Sequence, residues 1–558
     1  MLEVAKEELQ TVSMHHHGLV AAVCKDLKIA EKIDARLGVD PQRKVSPGQA
    51  VVAMILNGLG FTNRRLYLTH QFFASKPIER LLHADIKASD LTDYTLGHTL
   101  DDISTYGASR LFGEVAFEIA LEQDLLGSMN HLDTTSISVH GTYEGENDPK
   151  TIKITHGYCK DHRPDLKQTV LSLVVNGPSS IPLWMEPLDG NSSDKKSFHE
   201  TIQKVREFQS QINREEDFKW VADSALYTKD RLLKNNDYTW LTRVPETITE
   251  AKKLVEKPEK EIEWMPMEKG YKISSFISHY GGIEQRWLLV FSEQAYQKEV
   301  KTLERKLDRE EEALKKKLWH LSNEVFDCEK DAQKAINKAK KKESLHVIES
   351  KIVPVLKYAK RGKPKQGEGK SIVGYKIESG LEKNQPKIDR LLRRKGRFIL
   401  ATNDLDRESY KDNQMLEEYK EQQQVERGFR FLKDPWFMVD SIFLKLPKRI
   451  ESLMMVMTLC LMVYNVAQYK VRKKLNETGD TLPNQLGKEI KNPTMRWIFQ
   501  IMEGIDVIRF YDQSIEKPLR EIITNLNQLR MKIILLFGHT ASLMYGLIQE
   551  NCSGGLGM

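Results

Sequence analysis

The sequence predicts an α/β protein in which a strand-rich core is interrupted by a large insertion and flanked by helical terminal regions. Runs of β-branched and apolar residues, bounded by Gly, Pro, Asn and Asp, cluster between about residues 126 and 245. Helical periodicity dominates before them and again after about residue 476. A further strand-like run, Phe398-Ile399-Leu400-Ala401-Thr402-Asn403, precedes a long amphipathic pattern and follows a stretch of different, highly charged character. At 558 residues the chain is too long for one core. Five regions are expected: helical 1–125, the first part of the core at 126–245, an insertion at 246–396, the rest of the core at 397–475, and a helical C-terminal region at 476–558.

In the first region Ser46 followed by Pro47 supplies an N-cap and a first-turn residue, and Gly58 and Gly60 end that helix. Further periodic runs lie at 65–84 and 107–124. A domain of this kind suits either DNA-end recognition or packing and dimerisation. His15, His16 and His17 read as incidental residues of a flexible terminus rather than as metal ligands. Core strands are expected at 129–140, 169–176, 181–187, 217–223 and 238–243, with Gly177-Pro178 dividing the second from the third. Asp194 caps a helix over 195–211, and another helix follows Asp223. Three strands, a helix, a strand, a helix and a strand is the order of a ribonuclease-H-like fold.

In the insertion, Tyr271 to His279 and Glu284 to Ser292 flank Gly281-Gly282 as a hairpin. Over 294–343, Val300, Leu303, Leu307, Leu314, Leu318, Leu321 and Val325 approximate a heptad on a charged helix. Run straight, that helix spans about 75 Å at ~1.5 Å per residue; folding back near Ser322-Asn323 fits equally. From Lys351 to Arg397 there are fifteen Lys and Arg against four Asp and Glu. Such a block either neutralises phosphates or forms a solvated linker.

The overall charge of +6, from 85 basic and 79 acidic groups, is too small to argue for nucleic acid by itself. The five cysteines are odd in number and widely spaced, so no disulfide framework is expected and a reducing, cytoplasmic setting fits. No segment has the order of a signal peptide. Leu453 to Ala467 is short for a membrane span of about 20 residues, and a buried helix is expected there.

The chemistry concentrates on three carboxylates. Tyr419, Gln422, Glu426 and Lys433 fall at offsets of 3, 7 and 14 on what reads as one helix, joined by Arg430, and occupy an arc of roughly 60°. Val425, Phe429, Leu432 and Trp436 form an adjacent apolar face. The stripe is either an ordinary solvated face or a carboxylate flanked by phosphate-binding groups. Asp133 interrupts a strand, where Asp is disfavoured, and Asp223 ends the apolar run Phe218 to Ala222. Each Asp alone reads equally as a turn or cap residue.

Together these segments resemble the DDE-class transposases of bacterial and archaeal insertion sequences. More narrowly the chain is similar to the insertion-sequence-four group, whose pattern Tyr-x2-Arg-x3-Glu-x6-Lys reads here Tyr419-x2-Gln422-x3-Glu426-x6-Lys433, with Gln in place of Arg. Leu132-Asp133-Thr134-Thr135 and Val221-Ala222-Asp223-Ser224 resemble the first and second catalytic motifs, and Gly157 to Gln168 and Pro187 to Asn191 resemble neighbouring stretches. The resemblance implies a ribonuclease-H-like core with an inserted domain that helps clamp DNA. It implies Asp133, Asp223 and Glu426 as the catalytic metal ligands, with Mg²⁺ or Mn²⁺ as two ions, Asp133 on both and the other two on one each. Tyr419, Gln422, Arg430 and Lys433 would then hold backbone phosphates. The partner implied is double-stranded DNA, as transposon terminal inverted repeats and target, bound by a homodimer assembled on it and associated with the nucleoid; no membrane is implied.

His162, Arg163 and Lys167 are further candidates for DNA contact. His156, Cys159 and His162 offer a rival zinc site that lacks a fourth ligand. Trp264, Trp287 and Trp319 suit either base stacking or packing. Four functions remain open: a transposase that cleaves and joins DNA, a metal-dependent nuclease without strand transfer, a non-catalytic DNA-binding derivative, and a scaffold built on the coiled coil of 294–343, which leaves the separated carboxylates unexplained.

Overall fold

The computed structural model describes residues 9–61, 66–143, 151–158, 163–192, 194–212, 217–222, 224, 227–234, 237–340, 344–358, 369–434, 444–511, 518 and 520–548, with backbone alone at 67, 194–197, 231, 234 and 424. The chain forms two compact units, one of Met1–Trp240 with Glu418–Met558 and one of Leu241–Glu417.

The first unit opens with strand β1 (Leu9–Ser13) and helices α1 (His17–Asp26), α2 (Ile29–Leu37), α3 (Pro47–Gly58), α4 (Thr69–Phe73), α5 (Ile78–Leu81), α6 (Asp93–Tyr106) and α7 (Ala108–Glu122). The cap expected at Ser46 is a full capping box: its Oγ accepts from the Gln49 N–H at 3.2 Å, and its own N–H donates to Gln49 Oε1 at 2.9 Å. The periodic run at 65–84 is broken into short pieces, because Pro77 precedes α5 and lacks the N–H a continuous helix would need. The histidine triplet belongs to no flexible terminus. His16 and His17 are buried at the start of α1, where His16 Nε2 bonds the Leu59 carbonyl at 2.9 Å and the ring stacks on Phe499 at 4.2 Å.

Strands β2 (Met129–Val139), β3 (Lys167–Asn176) and β4 (Ile181–Leu188) follow, then α8 (Asp194–Gln211), β5 (Lys219–Ala222), α9 (Lys229–Lys234) and β6 (Trp240–Arg243), where the chain passes into the second unit. In the first unit the sheet order is β4-β3-β2-β5, antiparallel across the first three and parallel between β2 and β5. β2 and β3 are buried almost throughout, as strands covered on both faces should be.

The second unit holds α10 (Thr249–Val255), β7 (Met265–Met267), β8 (Tyr271–Ser278), β9 (Gln285–Ser292), α11 (Glu293–Asn323), α12 (Glu329–Ala339), β10 (His346–Lys357), β11 (Ser371–Lys383), α13 (Gln385–Arg394), β12 (Arg397–Thr402) and the start of α14 (Asp412–Glu421). Its sheet runs β6-β12-β9-β8-β7. The charged helix does fold back. Glu324 turns extended (φ −82°, ψ 138°), and Leu314 and Leu318 of α11 share a core with Ala332 and Ile336 of α12 and Ile348 and Ile377 of the following strands. Much of the basic block is no linker, because β10 and β11 pair antiparallel over most of their length.

The first unit resumes with α15 (Gln423–Leu432), α16 (Pro447–Thr478), β13 (Leu482–Pro483), β14 (Glu489–Ile490), α17 (Met495–Ile501), β15 (Asp506–Phe510), β16 (Arg520–Ile523), α18 (Gln528–Phe537) and α19 (His539–Met544). β1, unforeseen from the sequence, joins β15 and β16 in a small sheet. α16 carries the apolar run expected at Leu453 to Ala467, and its most apolar window is 83% buried. α1, α3, α6, α7 and β4 pack on it, so the N-terminal helices have a packing role. Arg449 of α16 ties down α6 by donating to both carboxylate oxygens of Asp101, at 3.1 and 2.6 Å.

Candidate active site

Asp133 lies within β2, between β3 and β5 in the sheet of the first unit. Its Oδ1 accepts the N–H of Thr134 at 2.7 Å, which satisfies part of a carboxylate that a strand otherwise disfavours. Directly opposed residues of an antiparallel pair project to one face. Asp133 opposes Leu173, and α15 covers that face: a Cβ at Gly428 would lie 3.9 Å from Leu173 Cδ2 and 3.1 Å from Leu461 Cδ2 of α16. Glycine at 428 therefore lets α15 settle close to the strands. Val425, Phe429 and Leu432 hold that helix by burial, while Glu426 stays 60% exposed with its carboxylate 3.9 Å from the Arg430 guanidinium.

β5 leads to the second aspartate. Val221 is registered beside His131, and in sequence Asp223 comes two residues after Val221 as Asp133 comes two after His131. Asp223 itself lies outside the described residues, as do Cys159 and His162. Among the described residues no group of three or more His, Cys, Asp or Glu side chains is placed to hold a metal ion.

The stripe from Tyr419 to Lys433 is not one helix. α14 ends at Glu421 and α15 begins at Gln423, because the N–H of Gln422 bonds the Tyr419 carbonyl and that of Val425 bonds the Gln422 carbonyl, tight three-residue steps in place of four. Tyr419 thus sits on a different helix from Glu426 and Arg430. Lys433 caps α15, its N–H bonded to the Phe429 carbonyl at 3.0 Å, where the sequence approaches Pro435.

Of the loop candidates, Arg163 chelates Asp165 at 2.9 and 2.7 Å and holds its carboxyl down at about 2. Lys167 Nζ donates to the Thr142 carbonyl. Trp287 is buried, with Nε1 donating to Gln285 Oε1 at 3.2 Å, Trp264 lies under the Arg397 guanidinium at 5.5 Å, and Trp319 is 64% exposed.

Two features escaped the sequence reading. His131 shares the Asp133 face of β2, is buried, and stands 4.0 Å from Glu421 of α14; burial lowers its pKa to about 4, so it is neutral near pH 7. Strand alternation counted back from Asp133 would have found it. Arg427, Arg472 and Arg496 gather with Arg430 around a cleft beside α15; Arg472 and Arg496 come from segments tens of residues away, so the cluster carries no local pattern.

A family model described as a transposase DDE domain matches residues 131–463, and one for a domain of unknown function, DUF4277, matches residues 9–117. No curated protein matches the chain. Among solved structures, the cryo-EM synaptic complex of piggyBac transposase with hairpin DNA aligns at 10% identity over 88% of this chain and 82% of that one, with a TM-score of 0.36. The transposase DDE model spans more than half of the chain and contains both Asp133 and Glu426, and the chain belongs to that family.

Proposed function

We propose that this protein is a DNA transposase that cleaves transposon ends with the help of divalent ions and joins them to target DNA. The observation that carries the reading is the placement of Asp133 on the strand face that the Glu426-bearing helix covers, in a chain of the transposase DDE family. The strand order β4-β3-β2-β5, with α8 between β4 and β5 in the chain, supports a ribonuclease-H-like core. The division into mostly helical terminal regions joined by the small β1-β15-β16 sheet, a split core and an insertion belongs to the same reading.

Carboxylate oxygens are the hard donors that Mg²⁺ and Mn²⁺ prefer, so Asp133, Asp223 and Glu426 fit two such ions. When bound, the ions would stabilise charge developing on the attacked phosphate. The chain's own residues have separable tasks. Glu426, exposed at the helix surface, can reach a bound strand without unpacking α15. Arg430 and Lys433 hold phosphates, with Tyr419 and Gln422 approaching from the preceding helix and turn. His131, neutral and buried, backs the Asp133 strand without adding charge. Double-stranded DNA and a homodimer assembled on it complete the reading.

The test is cleavage of a linear duplex carrying the inverted repeats that flank the gene, with Mg²⁺ or Mn²⁺. Asp133→Ala, Asp223→Ala and Glu426→Ala are each expected to abolish cleavage while duplex binding persists. Cleavage retained in any one of them removes that residue from the site. Cleavage without joining to a second DNA would reassign the protein as a nuclease.

A further inference from the structure

A cleft of about 470 Å³ opens beside α15, bounded by α16, the β3–β4 turn and the start of α17. Arg427 and Arg430 line it from α15, Arg472 from α16 and Arg496 from α17. Among the described residues Asp434 is the one carboxylate in its lining, and Arg496 already engages it at 2.5 Å. Arg472 is fixed in the wall by donating to the Pro493 and Asn492 carbonyls at 2.9 and 3.3 Å. Burial, and after it the nearby charge of Arg427, holds the Arg472 guanidinium below its ordinary value. Cations gathered in one concavity repel one another and focus a field that draws in an anion.

The β3–β4 turn adds Ser179, 5% exposed, whose Oγ has no hydrogen-bond partner among the described residues. A buried hydroxyl left unpaired is unfavourable, and a ligand oxygen in the cleft would satisfy it. The same cleft has an aromatic side. Phe431 and Tyr464 lie with ring centroids 4.6 Å apart, and the Arg496 guanidinium stands 5.8 Å from the Phe61 ring. Flat apolar surface next to cations suits a planar base carrying a phosphate.

We propose that this cleft binds a phosphate-bearing nucleotide, with the arginines and Ser179 taking the phosphate and Phe61, Phe431 and Tyr464 taking the base. Its volume suits one nucleotide and is too small for a duplex. A free mononucleotide and a single unpaired residue of a DNA strand present the same groups. The site uses neither the three carboxylates nor a metal ion, so it can be probed in EDTA, where cleavage plays no part.

The experiment is calorimetric titration of the full chain in EDTA at fixed low salt with dTMP, thymidine, inorganic phosphate and a ten-residue oligo-dT. Binding of dTMP is expected, with thymidine and inorganic phosphate each at least about tenfold weaker. Arg427→Gln is expected to weaken dTMP about tenfold or more, and Ser179→Ala by a few fold. Arg427 is exposed, so the melting temperature of its variant should hold. Tighter binding of oligo-dT than of dTMP, lost in Arg427→Gln, assigns the source to a DNA strand; binding confined to dTMP assigns it to the free nucleotide. No binding of either, equal affinity for inorganic phosphate and dTMP, or undiminished affinity in Arg427→Gln overturns the proposal.

Discussion

Arg430, proposed above to hold a phosphate, is placed where that role can be tested apart from the fold. Its side chain is 77% exposed and stands 3.9 Å from the Glu426 carboxylate, an exposed pair that adds little stability. Arg430→Gln should therefore change stability by no more than about 0.5 kcal/mol. The slope of log affinity for DNA against log salt should fall by about one unit, read by fluorescence anisotropy across a salt series; an unchanged slope would remove Arg430 from the phosphate contacts. Asp101 is the opposite case. Hydrogen bonds from Arg449, then from Lys448, hold its carboxyl at about 2. With an unfolded value near 3.9, the pairing contributes fully above about pH 4 and is lost as pH falls toward 2. Solvent reaches both partners, so the contribution is about 1 kcal/mol. Arg449→Met should lower stability by that amount at pH 7 and much less at pH 2, measured by denaturant titration at the two pH values.

At the level of elements, the fold-back of α11 on α12 rests on a small core. Ile336 is fully buried there, and Ile336→Ala should cost about 2–4 kcal/mol. Hydrogen exchange should rise in α11, α12, β10 and β11 while the sheet of the first unit stays protected. Protection lost equally everywhere would mean that the two units do not unfold separately. What was legible in the sequence follows from this kind of local physics. Ser46-Pro47 announced α3 because capping is decided within four residues, and β2 to β6 were found because alternation and turn residues are local signals. The β10–β11 pairing was missed because its strands carry little strict apolar alternation and find their stabilising partners in α11 and α12. The break at Gln422 was missed because nothing in Gln422-Gln423-Gln424 opposes a helix. Asp133 and Glu426 were legible as residue types, whereas the packing of α15 on the Asp133 face of the sheet depends on register and on Gly428.

For the whole molecule, acid is the expected weakness. His16 and His131 are pushed down to about 4, and His17 well below its ordinary value, in each case chiefly by burial. The unfolded chain binds these protons near pH 6.5 and the folded one does not. Stability is therefore full above about pH 6.5 and declines as pH falls toward 4, each group adding about 1.4 kcal/mol per pH unit in that window. Urea midpoints between pH 7 and 4.5 should show the decline, shallower in His131→Asn; an equal slope would place the acid sensitivity elsewhere. α16 bears on how the protein can be made at all. It is long and apolar enough to cross a membrane, yet α1, α3, α6, α7 and β4, all earlier in the chain, cover it. A ribosome releases those five elements first, so the partners that cover most of this apolar segment are already synthesised when it emerges. A fragment that starts at residue 418 lacks those partners, and it is expected to leave that segment exposed to lipid, chaperones or other copies.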